Sequence, residues 1–232
     1  MPTDPLNSDP VGKLRNTGFK PQVVIVDYQA GNLRSCSKAF EHLAGQDRVK
    51  VITTADELAG ASHIVLPGQG AFGDCGDQLR KIDGMVEALD QAVRVQGKPF
   101  FGICVGMQLL ADQGLEFGTH DGLGWVNGSV VPIEPNDASL KIPHMGWNNL
   151  ELTEGAKTHP VMAGVQNGDH AYFVHSYKFQ VANKADVISG VEYGGDVTAI
   201  VAKDTFIGAQ FHPEKSQSLG LKMIENFLGW RP

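Results

Sequence analysis

A cysteine flanked by glycines has the context in this sequence that best suits covalent chemistry. The segment GICVG, residues 102–106, joins an apolar run to a helical pattern that begins at Met107. A sharp turn from strand to helix presents a nucleophile above the end of a sheet, and glycines flank it because side chains would clash there. A buried structural cysteine is the competing interpretation. The two glycines and the change from strand to helix favour a nucleophile at Cys104.

A cysteine nucleophile needs a base and a group that orients the base. Of the eight histidines, only His212 stands in a poised context, the segment FHPE at 211–214 after a predicted strand. Side chains two residues apart on extended backbone point the same way, so we expect Glu214 to reach the ring of His212. Alone, this segment is more typical of a surface loop. Together with Cys104 it predicts a Cys-His-Glu triad.

A glycine-rich segment, PGQGAFG at 67–73, follows the apolar run from Ile64 to Leu66 and has the spacing G-x-G-x-x-G. Dinucleotide-binding loops have this spacing, but they also require an acidic residue at the end of the next strand. The next predicted strand ends in Phe101 and Gly102, and it supplies none. We therefore interpret the segment as a loop whose backbone N–H groups stabilise an oxyanion.

These residues require a framework of buried strands and covering helices. Continuous apolar runs at 23–26, 64–66 and 99–103 are typical of parallel strands. Helical periods occupy residues 32–43, one long stretch from Leu79 to Val93, and residues 219–228. After about Gly118, shorter strands are predicted at 173–174, 197–201 and 206–211, with a hairpin at Gly194-Gly195. The pattern predicts an α/β fold with a mostly parallel central sheet, helices on both faces and a mixed-strand extension.

The composition of the 232 residues, 42% hydrophobic and 19% charged, is typical of a soluble globular protein. A net charge of −7 argues against nucleic acid or an anionic membrane as a partner. No apolar run approaches the roughly 18 residues of a membrane span. The three cysteines are spaced for neither a disulfide framework nor a zinc site, so we expect a reducing cytoplasm and no metal or cofactor. Residues 1–22 are predicted to be a flexible extension, and 23–232 one domain.

Five segments resemble known proteins. GICVGMQLL at 102–110 and FHPEKS at 211–216 resemble class I, or triad-type, glutamine amidotransferases. Within that class, the chain is similar to the family of glutaminase subunits of imidazole glycerol phosphate synthase at VDYQAGNLRS (26–35), IPHMGWN (142–148) and YFVHSY (172–177). The resemblance extends from about Val23 to Leu228, but Gln69 stands where the family often has a small apolar residue. The alternative is the glutaminase subunit of pyridoxal phosphate synthase.

The resemblance implies an enzyme of histidine biosynthesis that hydrolyses L-glutamine at Cys104. Ammonia would pass to a separate (β/α)8-barrel cyclase, with which the chain would form a heterodimer. The cyclase would make imidazole glycerol phosphate and an aminoimidazole carboxamide ribotide. Two other classes, a stand-alone cysteine hydrolase and a non-catalytic binding module, are disfavoured by the intact Cys104, His212 and Glu214.

The resemblance also implies roles for residues around the triad. The oxyanion loop would comprise Gly68, Gln69 and Gly70, with the N–H of Val105. Glutamine binding is assigned to Gly70, Gln108 and the backbone of His175, Ser176 and Tyr177. Gln108 lies four residues after Cys104, on the same helix face; a solvated helix residue is the other interpretation of it. The partner-facing surface would comprise Asn32, Arg34, residues 144–148 with Met145 and Trp147, Tyr172 and Lys215.

Overall fold

The computed structural model describes residues 22–232. Of the extension predicted at residues 1–22, all but Gln22 lies outside this range. Gln22 itself is tied to the domain, because its backbone N–H donates to the Ser62 hydroxyl (2.7 Å).

The first half of the chain alternates strands and helices, as the apolar pattern predicts. In order, these are β1 (Val23–Val26), α1 (Leu33–Ala44), β2 (Val49–Ile52), β3 (His63–Gly68), α2 (Phe72–Lys81), α3 (Met85–Asp90), β4 (Phe100–Cys104) and α4 (Val105–Gln108). Short 3₁₀ turns lie at Gln46–Arg48 and Ala55–Gly60, and a π-helical turn at Gln91–Val95 continues α3.

The second half is richer in strands. It contains β5 (Gln113–Gly114), β6 (His120–Asp121), β7 (Gly128–Pro132), β8 (His144–Asn149), β9 (Glu151–Leu152), α5 (Glu154–Thr158), β10 (His170–His175), β11 (Tyr177–Val181), β12 (Val187–Glu192), β13 (Asp196–Lys203), β14 (Phe206–Ala209) and α6 (Gln217–Gly229). Further 3₁₀ turns lie at Pro160–Met162, Lys184–Asp186 and Pro213–Lys215.

The largest sheet has the strand order β2-β1-β3-β4-β14-β13-β12-β9. From β2 to β14 all neighbours are parallel, and the last three strands are antiparallel. Smaller sheets pair β8 with β10 and join β11, β7, β5 and β6. This arrangement confirms the predicted α/β fold with a mostly parallel sheet and a mixed-strand extension.

Both faces of the central sheet are covered. Phe100 and Phe101 are neighbours on β4 and so point to opposite faces. Phe101 packs on Phe227 of α6 (ring centroids 5.3 Å), whereas Phe100 packs on Trp125 (5.0 Å). Every residue of β4 is buried, which is why this strand is a continuous apolar run.

Two predicted elements are wrong in their extent. The helix expected from Leu79 to Val93 is two helices, because the chain turns between Lys81 and Met85 and Gly84 adopts a left-handed φ of 67°. The apolar spacing crosses the break because both helices pack on the same core. The strand expected at 206–211 ends at Ala209, after its last ladder pair with Ile200, where the chain leaves the sheet.

The order of the strands brings the candidate residues together. In a parallel sheet the carboxyl ends of the strands lie at one edge, where ligand sites of α/β sheets form. Strand β3 ends at Gly68, its neighbour β4 ends at Cys104, and β14 on the other side of β4 leads to His212. Residues separated by up to 144 positions therefore meet at this edge.

Candidate active site

Cys104 occupies a strained turn between β4 and α4, with φ 55° and ψ −113°. A non-glycine residue with positive φ costs on the order of 1–3 kcal/mol and is characteristic of functional sites. A Cβ on Gly102 would lie 2.6 Å from the Gly106 carbonyl oxygen, and one on Gly106 would collide with the Leu66 carbonyl. The structure therefore has the glycine-flanked turn that the sequence predicts.

His212 and Glu214 form a buried pair beside Cys104. His212 Nδ1 lies 2.8 Å from Glu214 Oε1, and the two side chains are only 5% and 3% exposed. The reason expected for this pairing is wrong, because residues 213–215 form a 3₁₀ turn instead of extended backbone. The turn is anchored by its own bonds: the Ser216 hydroxyl donates to the His212 carbonyl (2.7 Å), and the His212 N–H donates to the Tyr172 carbonyl (3.0 Å).

The environment of His212 raises its pKa to about 9. Burial alone would lower the pKa, but hydrogen bonds to Cys104 and Glu214, together with their charges, outweigh it. Because Nδ1 faces Glu214, the bond to Cys104 falls to Nε2. At neutral pH the ring is thus poised to carry a proton next to the cysteine sulfur.

The segment from Gly68 to Gly70 lies directly beside this turn. Gly68 is paired with Cys104 in the sheet, and a Cβ on Gly68 would lie 2.5 Å from the Tyr28 hydroxyl and 2.7 Å from the Gly106 nitrogen. The Cys75 thiol donates to the Gln69 carbonyl (3.6 Å). In a trans peptide the N–H points opposite to the carbonyl, so this bond turns the Gly70 N–H away from Cys75.

A cavity of about 270 Å³ opens at this edge of the sheet. The predicted residues that line it are Gln69, Gly70, Cys104, Val105, Gln108, His175, Ser176, Tyr177 and His212. Gly68 and Glu214 do not line it: Gly68 lies behind the Cys104 turn, and Glu214 lies behind His212. The N–H of Val105 is the first of α4 and has no acceptor within the helix. The cavity thus combines a nucleophile, a proton carrier and a backbone donor at a helix start, the set required for acyl transfer.

Comparison with known proteins identifies the family that has this arrangement. The family model "Glutamine amidotransferase class-I" matches residues 14–229. The chain is 51% identical to the imidazole glycerol phosphate synthase subunit HisH of Rhodospirillum rubrum, over 91% of this chain and 100% of that protein. It is 54% identical to the HisH subunit of Bradyrhizobium diazoefficiens, over 90% of this chain and 99% of that protein. The chain belongs to the HisH family of class I glutamine amidotransferases.

Solved structures confirm the fold at low sequence identity. PurLQS from Thermotoga maritima superposes with a TM-score of 0.67 at 18% identity, covering 91% of this chain and 99% of that one. The glutaminase domain of CTPS from Trypanosoma brucei gives a TM-score of 0.58 at 20% identity, covering 89% and 90%. Family membership confirms the prediction of a glutaminase enzyme subunit of this class, and it favours the HisH family over the pyridoxal phosphate alternative.

Gln108 lies in the cavity wall of this HisH-family chain, as predicted, and is buried. Its amide nitrogen already donates to the Tyr177 carbonyl (3.2 Å) and to Gln210 Oε1 (2.9 Å). Gln210 in turn places its own amide nitrogen 3.8 Å from the Cys104 sulfur. Sequence reasoning missed Gln210, since nothing in a residue at the end of an apolar strand indicates contact with a nucleophile 106 positions away.

Glu116 is a second residue at the cavity that the sequence did not reveal. Among the described residues that line the cavity, it alone carries a carboxylate. Its Oε2 accepts from the Phe72 N–H at the start of α2 (2.7 Å), which holds the side chain beside the glycine loop. Glu116 lies in a turn-rich segment between short strands, and no motif there distinguishes it from a solvated residue.

The residues assigned to the partner surface differ in their position and exposure. Met145 and Trp147 are 61% and 47% exposed. The Trp147 ring meets the Tyr172 ring edge-on, with 5.8 Å between ring centroids. Lys215 Nζ lies 5.8 Å from the centre of the Tyr172 ring. Asn32 and Arg34 are exposed at the start of α1, where the Asn32 side chain caps the helix by accepting from the Ser35 N–H. His144 differs from the expectation for its segment, since its side chain points inward and is buried.

Proposed function

We propose that this chain hydrolyses L-glutamine to glutamate at Cys104 and supplies the ammonia to the cyclase subunit of imidazole glycerol phosphate synthase. One observation carries the proposal: the strained Cys104 turn and the buried His212–Glu214 pair meet at a single cavity. A larger cavity, of about 480 Å³ beside Trp147 and Ser216, contains no member of the triad. The HisH relatives are named as subunits of imidazole glycerol phosphate synthase, which supports this assignment.

The first half-reaction forms a thioester. The Cys104 sulfur attacks the side-chain amide carbon of glutamine, and the negative charge that develops on the amide oxygen is stabilised by backbone N–H groups of Val105 and the Gly68–Gly70 loop. The carbon–nitrogen bond then breaks, and His212 gives its proton to the departing nitrogen, which leaves as ammonia. Glu214 holds the imidazole in orientation and stabilises it while it carries the proton.

The second half-reaction returns Cys104 to its starting state. His212, now neutral, takes a proton from a water molecule as that water attacks the glutamyl thioester. The carbon–sulfur bond breaks, glutamate leaves, and the sulfur and the imidazole recover the protonation with which they began. No redox change is required, and water is the only reactant besides glutamine.

The remaining cavity residues fit the amino-acid end of glutamine. Glu116 supplies a carboxylate for the α-ammonium group, and the backbone of residues 175–177 supplies donors for the α-carboxylate. Gln108 connects the helix that follows Cys104 to the 175–177 segment, because its amide nitrogen donates to the Tyr177 carbonyl. A glutamate in place of glutamine would bring a second carboxylate towards the Cys104 sulfur, so the site discriminates against its own product.

The part of the surface we assign to the cyclase, a (β/α)8 barrel, comprises the exposed Trp147 and Met145 and the half-buried Tyr172 and Lys215. Ammonia is a nucleophile only while it is unprotonated, so a dry interface next to the site serves its transfer. Among residues 22–232, none of the helices has the length and apolar character needed to cross a membrane. We assign the enzyme to the cytoplasm, and residues 23–232 to one amidotransferase domain; the boundary at residue 22 stays a prediction.

Glutamate release by the complex tests the proposal. The wild-type chain with the cyclase and its nucleotide substrate should release glutamate from glutamine, and Cys104→Ala should release almost none, because only binding and oxyanion stabilisation remain. With ammonium salt in place of glutamine, the Cys104→Ala complex should still make imidazole glycerol phosphate. A Cys104→Ala complex that releases glutamate at the wild-type rate would show that the nucleophile lies elsewhere.

A further inference from the structure

A continuous line of hydrogen bonds, buried at the His144–His175 pair, connects strand β8 to the cavity. Asn148 Nδ2 lies 3.3 Å from His144 Nε2, and His144 Nδ1 lies 2.9 Å from His175 Nε2. His175 Nδ1 lies 2.8 Å from the Tyr177 carbonyl oxygen, which also accepts from Gln108. The triad uses none of these bonds.

The two ends of this line determine the direction of every bond in it. A carbonyl oxygen only accepts, so His175 Nδ1 must carry a proton. With His175 neutral, its Nε2 accepts, and His144 Nδ1 must therefore donate. His144 Nε2 then accepts from Asn148, whose amide orientation is fixed because Nδ2 also donates to the Glu192 carbonyl (2.9 Å) while Oδ1 accepts from the Asn149 N–H (2.8 Å).

The surroundings keep both rings neutral and in place. Burial lowers the pKa of His144 to about 4 and that of His175 to about 4. His144 is stacked between the rings of Tyr193 (centroids 3.9 Å) and Phe173 (4.8 Å), which leaves its plane little freedom. Both nitrogens of each ring are occupied by other partners, so these histidines are not acid–base catalysts.

The line ends on the backbone that we assign to the α-carboxylate of glutamine. We propose that His144 is a positioning residue: it holds His175 in one tautomer, which fixes the Tyr177 carbonyl and with it the backbone donors of residues 175–177. The line begins on β8, the strand that carries the exposed Met145 and Trp147, so the same bonds connect the proposed partner surface to the glutamine pocket. This inference rests on the proposed function, because it assigns residues 175–177 to glutamine.

Kinetics of His144 variants in the complex with the cyclase test the proposal. His144→Phe keeps the ring stack but removes both hydrogen bonds, and we expect KM for glutamine to rise about tenfold while kcat stays within about threefold. His144→Asn places an amide donor where Nδ1 stood and should restore most of the affinity. Asn148→Asp cannot donate to His144 Nε2, and it should raise KM in the same sense as His144→Phe.

The matched control is His159→Phe. His159 is half-buried, its pKa is also lowered to about 4 by burial, and it packs on Trp230 (5.0 Å), but it does not line the cavity. This variant should leave KM unchanged. If wild type is active and His144→Phe has the wild-type KM, the positioning role is wrong; if wild type releases no glutamate at all, the proposed function itself fails.

The tautomers can be measured without any substitution. Nitrogen-15 NMR of the full chain at neutral pH should show a proton on Nδ1, and none on Nε2, of both His144 and His175. A proton on Nε2 of either ring, or on both nitrogens of either, would break the direction of the line and overturn the inference.

Discussion

Replacing Glu214 with glutamine removes one negative charge from the triad and keeps the oxygen that His212 needs. Glu214 Oε1 accepts from His212 Nδ1 at 2.8 Å, and the carboxylate is 3% exposed. Its second oxygen, Oε2, is buried without a hydrogen-bond partner among the described residues, so an amide nitrogen fits there without breaking a bond. The substitution therefore tests charge almost separately from geometry.

The size of the effect follows from the change of this hydrogen bond from one with a charged acceptor to one with a neutral acceptor. A hydrogen bond to a charged group contributes about 1.5–3 kcal/mol, and a neutral one about 0.5–1.5 kcal/mol. The difference of about 1–1.5 kcal/mol corresponds to a loss of about tenfold in kcat/KM. Glu214 helps to raise the pKa of His212 to about 9, so its removal lowers that pKa, and the basic limb of the pH profile should move down by about one pH unit.

The assay is glutamate release against pH by the complex with the cyclase. The expected order of kcat/KM is wild type, then Glu214→Gln, then His212→Ala, which lacks the proton carrier and should lose on the order of a thousandfold. Wild-type activity and an unmoved basic limb in Glu214→Gln would mean that the carboxylate neither orients His212 nor raises its pKa. Glu214 would then not be a member of the triad.

Three further predictions concern the loop, the surface and stability. Gly68→Ala should lower glutaminase activity at least about a hundredfold, because its Cβ would meet Tyr28 and Gly106; Gly60→Ala, whose Cβ would meet no atom within 4 Å, is the control and should be active. Trp147→Ala should weaken binding to the cyclase by about 2 kcal/mol or more, as measured by calorimetry. It should leave the melting temperature of the chain unchanged, since the ring is 47% exposed. Equal affinity of the variant and wild type would remove Trp147 from the interface. The pKa of His212 in the folded protein is about 9, above the ordinary 6.5, so the contribution of His212 to stability is complete below pH 6.5 and is lost as pH rises to 9. Urea unfolding should show this loss of stability in wild type and a smaller loss in Glu214→Gln. Equal losses in the two proteins would contradict this role of Glu214.

Local spacing made the grouping of Cys104, His212 and Glu214 predictable, and contacts distant in sequence hid the residues packed around them. Cys104 is recognisable because its turn needs glycines within two positions. Glu214 is close enough in sequence to reach His212, although a 3₁₀ turn brings them together and not the extended backbone that the spacing predicted. Glu116 reaches the site by bonding to the Phe72 N–H, 44 positions away, and only the folded chain brings them together. The same holds for Gln210 beneath Cys104.

The elements of the fold likewise include some that local sequence predicts and some that it hides. The strand Val23–Val26 is predicted to the residue, because burial on both faces leaves an unbroken apolar run. The break between Lys81 and Met85 is hidden, because Leu79 and Leu89 face one core on either side of it and preserve the helical spacing. The pair His144–His175 is likewise invisible in sequence, since it forms through the antiparallel pairing of β8 with β10.

A covalent glutamyl intermediate on Cys104 would be the most direct evidence that this residue is the nucleophile. Rapid acid quenching of the complex during glutamine turnover, followed by mass spectrometry of the peptide that contains residue 104, should reveal a glutamyl group on the Cys104 sulfur. Cys104→Ala should show no such mass on any peptide. A wild-type complex that turns over glutamine with Cys104 unmodified, and with the glutamyl group on another residue, would contradict the account.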